Sequence, residues 1–177
     1  MGYPDMMRDI LAQARREAIA NRRKALEHLP IIDHTNGLYN RAYFELRLDE
    51  EIERSRLYGN RLSLILIGTG LSGRQDQGNE DQASEKAMQI IASIINDCLT
   101  DTIGLAFHYD KGTFAVIVPE AGERDAVLIA DHIREKILNE KIQRVTLHAA
   151  VVQHKDHESI DEFIQAADDA LHGNTRG

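Results

Sequence analysis

The chain has 177 residues, with 42% hydrophobic and 28% charged side chains and a formal net charge of −8. That length fits one domain with an appendage, and it buries roughly 70% of the unfolded surface, enough for a core without staples. The acidic balance argues against non-specific nucleic-acid binding and direct membrane contact; no bilayer-spanning run or signal-peptide pattern is present, and the single cysteine, Cys98, excludes an intrachain disulfide and fits a reducing, cytoplasmic setting.

Residues 5–29 read as one helix. Met7, Leu11, Ala14, Ala18, Ala25 and Leu29 fall near a/d spacing, and Asn21 lies on the same stripe, where a polar residue can fix coiled-coil register. Two readings stand: a solvated helix on its own domain, or a dimerising, signal-transmitting stalk. Pro30 is expected to end the helix. Asn36-Gly37 signals a turn. A helix follows over 41–58, with Phe44, Leu48, Ile52 and Ser55 on one face, and Gly59-Asn60 closes it.

The run 62–67 is almost wholly apolar and reads as a central strand. Gly68-Thr69-Gly70-Leu71-Ser72-Gly73 follows it. This loop is neither a P-loop nor a dinucleotide fingerprint, since no GKS or GKT follows and the third glycine comes too soon. It is read as a connection running on through Arg74 to Glu80.

A helix is expected over 81–99, with Ala83, Ala87, Met88, Ile91, Ile94, Ile95 and Cys98 inward. Cys98 is then a core filler. A strand over 103–109 alternates Ile103, Leu105, Phe107 and Tyr109. A tight turn at Asp110-Lys111-Gly112 follows, where Gly112 supplies a positive φ. The returning strand 113–118 points Phe114, Val116 and Val118 one way and Ala115 and Ile117 the other, so it is buried on both faces. Residues 123–140 form an amphipathic helix, 145–152 a strand, and Ser159 with Glu162 a capping box for a last helix through Leu171. The order predicts an α+β fold: a central, mainly antiparallel sheet flanked by helices, with an N-terminal helical extension. The expected division is a linker helix over 1–30 and a domain over 31–177.

The segment GLYNRAYFELRLDEEIERSRLYGNRLSLILI resembles the opening of the GGDEF, or diguanylate cyclase, domain. HYDKGTFAVIVP is similar to that family's RYGGDEFAVLLP, and Ala167-Asp168-Asp169-Ala170-Leu171-His172 to its ADxALY. The resemblance covers about residues 31–173. It implies a palm-like nucleotide-cyclase fold. It also implies an activity that joins two GTP molecules into cyclic di-GMP, one per subunit of a dimer, with two metal ions held by carboxylates.

The functional positions of the family are altered here. Its acidic residues after the first central strand fall on Gly68 and Gly70. Its GGDEF signature falls on Asp110, Lys111, Gly112, Thr113 and Phe114, so the acidic pair becomes Gly112 and Thr113. Its two lysines fall on Gly73 and near Thr175. Mg²⁺ wants carboxylate oxygens, and these positions supply none. The resemblance therefore implies no metal cofactor and no catalysis by the family route. The guanine-reading asparagine and aspartate fall on Asp76 and Glu85. Glu85 can accept from the guanine N–H groups, whereas Asp76 repels its carbonyl oxygen. The inhibitory product motif RxxD falls on Asp101 and Gly104, with the arginine replaced by the opposite charge.

His154-Lys155-Asp156-His157-Glu158 lacks the converging ligands of a zinc site and reads as a solvated polar loop. His148 lies within a strand and reads as packed or edge-exposed. The expected protein is a degenerate, inactive GGDEF-type regulatory module within a larger multidomain protein. Its partners would be proteins or neighbouring signalling domains, with a homodimer formed through the N-terminal helix. The alternatives are a weak GTP-sensing domain that controls a neighbour such as a cyclic di-GMP phosphodiesterase, and an active cyclase with non-standard ligands. The short tail after His172 reads as a chain that stops there or once continued.

Overall fold

The computed structural model describes residues 3–71, 79–156 and 158–174. Its elements are α1 (Tyr3–Leu26), α2 (Arg41–Tyr58), β1 (Leu62–Gly68), α3 (Asn79–Cys98), β2 (Leu105–Asp110), β3 (Thr113–Pro119), α4 (Glu123–Asn139), β4 (His148–Gln153) and α5 (Ile160–Asn174). The strands form one antiparallel sheet in the order β2-β3-β1-β4.

The two apolar faces expected of β3 are both covered. Phe114, Val116 and Val118 join Ile65 and Ile67 of β1 in a core closed by α3 and α4. Ala115 and Ile117 join Leu62, Leu64 and Leu66 in a second core closed by α2 and α5. The period-2 alternation of a strand thus serves two cores at once, which explains why β1 and β3 read as unbroken apolar runs.

Local signals set the helix ends. Asn40 caps α2, its side chain accepting from the Tyr43 N–H at 3.0 Å. Gly59 ends α2 in the left-handed region with φ 68°. Ser159 and Glu162 form the expected capping box, the Ser159 N–H donating to Glu162 and the Glu162 N–H to Ser159 Oγ.

Several details differ from the sequence expectation. The first helix ends at Leu26 and not at residue 29, because turn bonds from Glu27 to Lys24 and from Leu29 to Leu26 replace the helical ladder. The second strand starts at Leu105, leaving Ile103 58% exposed. The fourth starts at His148 instead of Val145. Ala83, expected inward, is exposed near the start of α3, which begins at Asn79.

The α1 helix is docked differently from the others. Among its described side chains none belongs to either core. Arg15 pairs with Glu53 at 3.2 Å, Arg22 with Asp49 at 3.0 Å, and Arg23 with Glu50, all on α2. Exposed ion pairs contribute about 0–1 kcal/mol each and weaken with salt. The stripe Met7, Leu11, Ala14, Ala18, Asn21 and Ala25 is exposed along its length, Leu11 at 62%.

Candidate functional site

The β2–β3 hairpin forms one side of the sheet, with β2 at its edge and β3 beside β1. Asp110 pairs with Thr113 across the turn after a register shift that begins at His108, and Gly112 holds φ 70°. Asp110 and Lys111 are exposed, and the Asp110 carboxylate accepts from the Lys111 N–H at 2.7 Å. The turn is fastened from behind by Thr69, which is fully buried. Its N–H and its hydroxyl both donate to Gly112 O at 2.8 Å, and its own carbonyl accepts from the Thr146 N–H at 2.9 Å. The glycine-rich loop after β1 is therefore held at Thr69; its continuation from Ser72 to Gly78 lies outside the described residues.

The positions assigned by resemblance to metal ligands do come together. Gly68 stands directly opposite Thr113, and both lie on the face that carries Leu66 and Ala115. Directly opposite residues hold their Cβ atoms about 5 Å apart, a spacing that suits two carboxylates sharing a cation. The side chains present do not fit such a cation. Gly68 and Gly112 offer no side-chain oxygen, and Thr113 offers a hydroxyl. The nearby carbonyls of Thr69 and Gly112 are already bonded within the protein. Nor is there room at Gly70: it has φ 68°, and a Cβ there would meet the Thr146 Cβ at 3.2 Å. Among the described residues no group of three or more His, Cys, Asp or Glu converges to hold a metal.

Glu85 is exposed on α3, while Asp76, Gly73 and Thr175 lie outside the described residues. Asp101 is exposed in the turn after α3. A Cβ at Gly104 would meet Leu99 and the Thr102 hydroxyl at 3.1 Å, so the acid of the product motif has no ready place there.

Three contacts beside the hairpin escaped sequence reasoning. Asp33 Oδ2 lies 2.6 Å from His108 Nδ1, tying the turn before α2 to β2. Arg41 stacks its guanidinium 3.9 Å from the Tyr109 ring centre and donates to Tyr109 O. The Tyr109 hydroxyl donates to the carboxylate of Asp168 at 2.9 Å. Burial, and then that hydrogen bond, push the Tyr109 phenol well above its usual range. It therefore remains a protonated donor at neutral pH and anchors the hairpin to α5.

Asp33 carries a pH dependence. Burial alone pushes its carboxyl up, but hydrogen bonds from His108, Thr35 and Asn36 together bring it below its ordinary value of 3.8. A lowered folded-state value stabilises the fold above pH 3.8, and that contribution is lost as pH falls through the folded value. Asp33→Asn should therefore melt below the wild type at pH 7, with the gap closing below about pH 4. A gap that stays constant down to pH 3 in thermal melts would contradict this assignment.

Two histidine expectations are resolved differently. His154 is buried, not solvated: its ring lies 5.0 Å from Phe163 and its Nε2 lies 2.9 Å from Glu158 O. His157 lies outside the described residues. His148 is half-buried on β4, opposite Gly68. Cys98 is half-buried, and burial pushes its thiol up, which suits a packing residue. Among the described residues no helix is long and apolar enough to cross a membrane.

Comparison with known proteins adds to this geometry. A family model described as diguanylate cyclase, GGDEF domain, matches residues 30–176. The response regulator PleD of Caulobacter vibrioides is 29% identical over 116 residues, covering 63% of this chain and 25% of that protein. The diguanylate cyclase DgcM of Escherichia coli K12 is 25% identical over 170 residues, covering 94% of this chain and 40% of that protein. The chain thus spans well under half the length of these relatives. Among solved structures, the diguanylate cyclase SiaD of Pseudomonas aeruginosa, in complex with its activator SiaC, superposes with a TM-score of 0.75 at 22% identity, over 98% of this chain and 71% of that one.

Proposed function

The chain belongs to the diguanylate cyclase GGDEF domain family, and from that premise we propose that it is a non-catalytic member acting as a regulatory module in cyclic di-GMP signalling. One observation carries the reading. The cross-strand positions Gly68 and Thr113 sit where two carboxylates would share a metal, and neither is a carboxylate. A triphosphate without a metal would meet Asp110 at the turn and be repelled. What remains intact is the scaffold: both cores, the hairpin and the ties that hold it.

The test is turnover. Purified protein incubated with GTP and Mg²⁺ or Mn²⁺ should yield no cyclic di-GMP by anion-exchange chromatography. Product that disappears when the hairpin is altered would replace this reading with an active cyclase using other ligands. A GTP-sensing module without turnover rests on Glu85, whose exposure on α3 leaves it accessible. That reading requires Glu85→Ala to abolish GTP binding.

As a regulatory module the domain would act through protein partners, and the exposed stripe of α1 supports a second copy of the chain as one of them. A parallel pairing along Met7, Leu11, Ala14, Ala18 and Ala25 sets Glu17 against Arg22 of the second copy and buries Asn21 against itself. Leu11→Glu should convert a sedimenting dimer to a folded monomer, with a melting temperature that no longer depends on protein concentration. Dimers that survive this substitution would remove α1 as the interface.

A further inference from the structure

The α1 helix meets the domain through one row of side chains. Among its described side chains none is fully buried, and only Ala12, Arg15, Ile19 and Leu26 are half-buried. Their spacing of three, four and seven residues puts them on a single helix face. The facing row on α2 is Leu46, Asp49, Glu50 and Glu53. Leu46 is 3% exposed yet belongs to neither core. It lies on the side of α2 turned away from Phe44, Leu48 and Ile52, so its burial is supplied by α1.

The three ion pairs between the rows differ in what they would leave behind. Glu50 also pairs with Arg47, and Glu53 with Arg56, both on α2 itself. Asp49 has no ion-pair partner among the described residues except Arg22. Burial pushes the Asp49 carboxyl above its ordinary value although Arg22 and Arg15 pull it down, and Asp161 and Glu45 add to the push. When α1 departs, two carboxylates therefore keep a cation and the third returns to water. The other charges of this stretch of α1, Arg16, Glu17 and Lys24, are exposed and make no ion pair with α2. The hinge is equally confined. Asn40 holds Pro30 O through its side chain at 2.7 Å and Ile31 O through its N–H at 2.8 Å, and Asp33 is tied to His108. Only Glu27, His28 and Leu29, all exposed, lie between the end of α1 and this anchored turn.

We propose that α1 is a releasable strap, held on α2 by an ionic clasp and hinged at residues 27–29. Docked, it carries its exposed stripe at a fixed angle to the sheet. Released, it uncovers Leu46 and lets the stripe turn on the hinge, so the clasp sets how a partner on that stripe is presented to the domain. That regulatory use rests on the function proposed above, whereas the release itself requires neither turnover nor its absence. Salt distinguishes an ionic clasp from an apolar seam, because the range of charge interactions falls from about 10 Å at 0.1 M to about 3 Å at 1 M.

The chain contains no tryptophan, so Ile19→Trp gives the full chain a single fluorescent reporter on the docked face, and Leu26→Trp gives a second. At about 0.1 M NaCl the emission should be blue-shifted and shielded from acrylamide; at about 1 M it should move to the red and become quenchable. Asp49→Arg should produce the red, quenchable emission already at the lower salt, with the melting transition of the domain retained. Adding Arg22→Asp to that variant reverses the pair and should restore the shielded emission. Emission that ignores both salt and Asp49→Arg at both reporters would overturn the proposal and make α1 a fixed, apolar-packed part of the domain. Solvent-exposed emission at both reporters in the lower salt would overturn it as well. A red shift on dilution at constant salt would overturn it in favour of a second copy covering this face.

Discussion

Phe114→Ala is expected to lower the unfolding free energy by about 3–5 kcal/mol in urea denaturation. Phe114 is fully buried and packs between the sheet and the α3–α4 layer. It is also the only residue of the family signature that this chain keeps. Of the other four signature positions, Asp110 and Lys111 are exposed, Gly112 is buried against Thr69 and Thr113 is half-buried at the start of β3. A core position and a chemical position thus respond to different demands. The turn positions lie outside both cores, whereas losing this ring opens a cavity in one of them. Should the alanine variant fail to fold, Phe114→Leu should still cost about 1 kcal/mol. A loss well under 1 kcal/mol for the alanine variant would mean that the hairpin is not anchored by the core.

Gly70→Asp is expected to destabilise the protein by about 2 kcal/mol. Two effects add: an aspartate at φ 68° is strained, and its Cβ meets Thr146 at 3.2 Å. Thr146 cannot step back freely, because its N–H is bonded to the buried Thr69. Gly68→Asp makes a useful contrast. Its φ is not in the left-handed region, and the nearest side-chain atoms, of Leu171, are 3.7 Å away. Its cost should be clearly smaller. Equal costs at the two positions would contradict the packing described for the loop after β1. The contrast also bears on function, since one carboxylate can be returned at little expense and the other cannot.

Periodicity within one element was readable from the sequence. The faces of β3, the cap at Gly59, the Ser159–Glu162 box and the left-handed Gly112 all follow from residues a few positions apart. The contacts that fasten the hairpin were not readable in that way. Asp33 and His108 stand 75 residues apart, Tyr109 and Asp168 59 apart, and Thr69 and Gly112 43 apart. Thr69 looked like one more loop residue, because its burial depends on a turn that arrives later in the chain. His154 was misread for a similar reason: its neighbours Lys155 and Asp156 are exposed, but Phe163 covers its ring. Of the candidate nucleotide site, the loss of carboxylates was plain from resemblance. That Gly68 and Thr113 are direct cross-strand neighbours required the register.

Calorimetric titration of the purified protein with GTP, run with and without Mg²⁺, bears on the lost metal site without depending on turnover. No Mg²⁺-dependent binding is expected, because Gly68, Gly70, Gly112 and Thr113 leave the ion without a side-chain carboxylate. A binding isotherm that appears only when Mg²⁺ is present would contradict the non-catalytic reading.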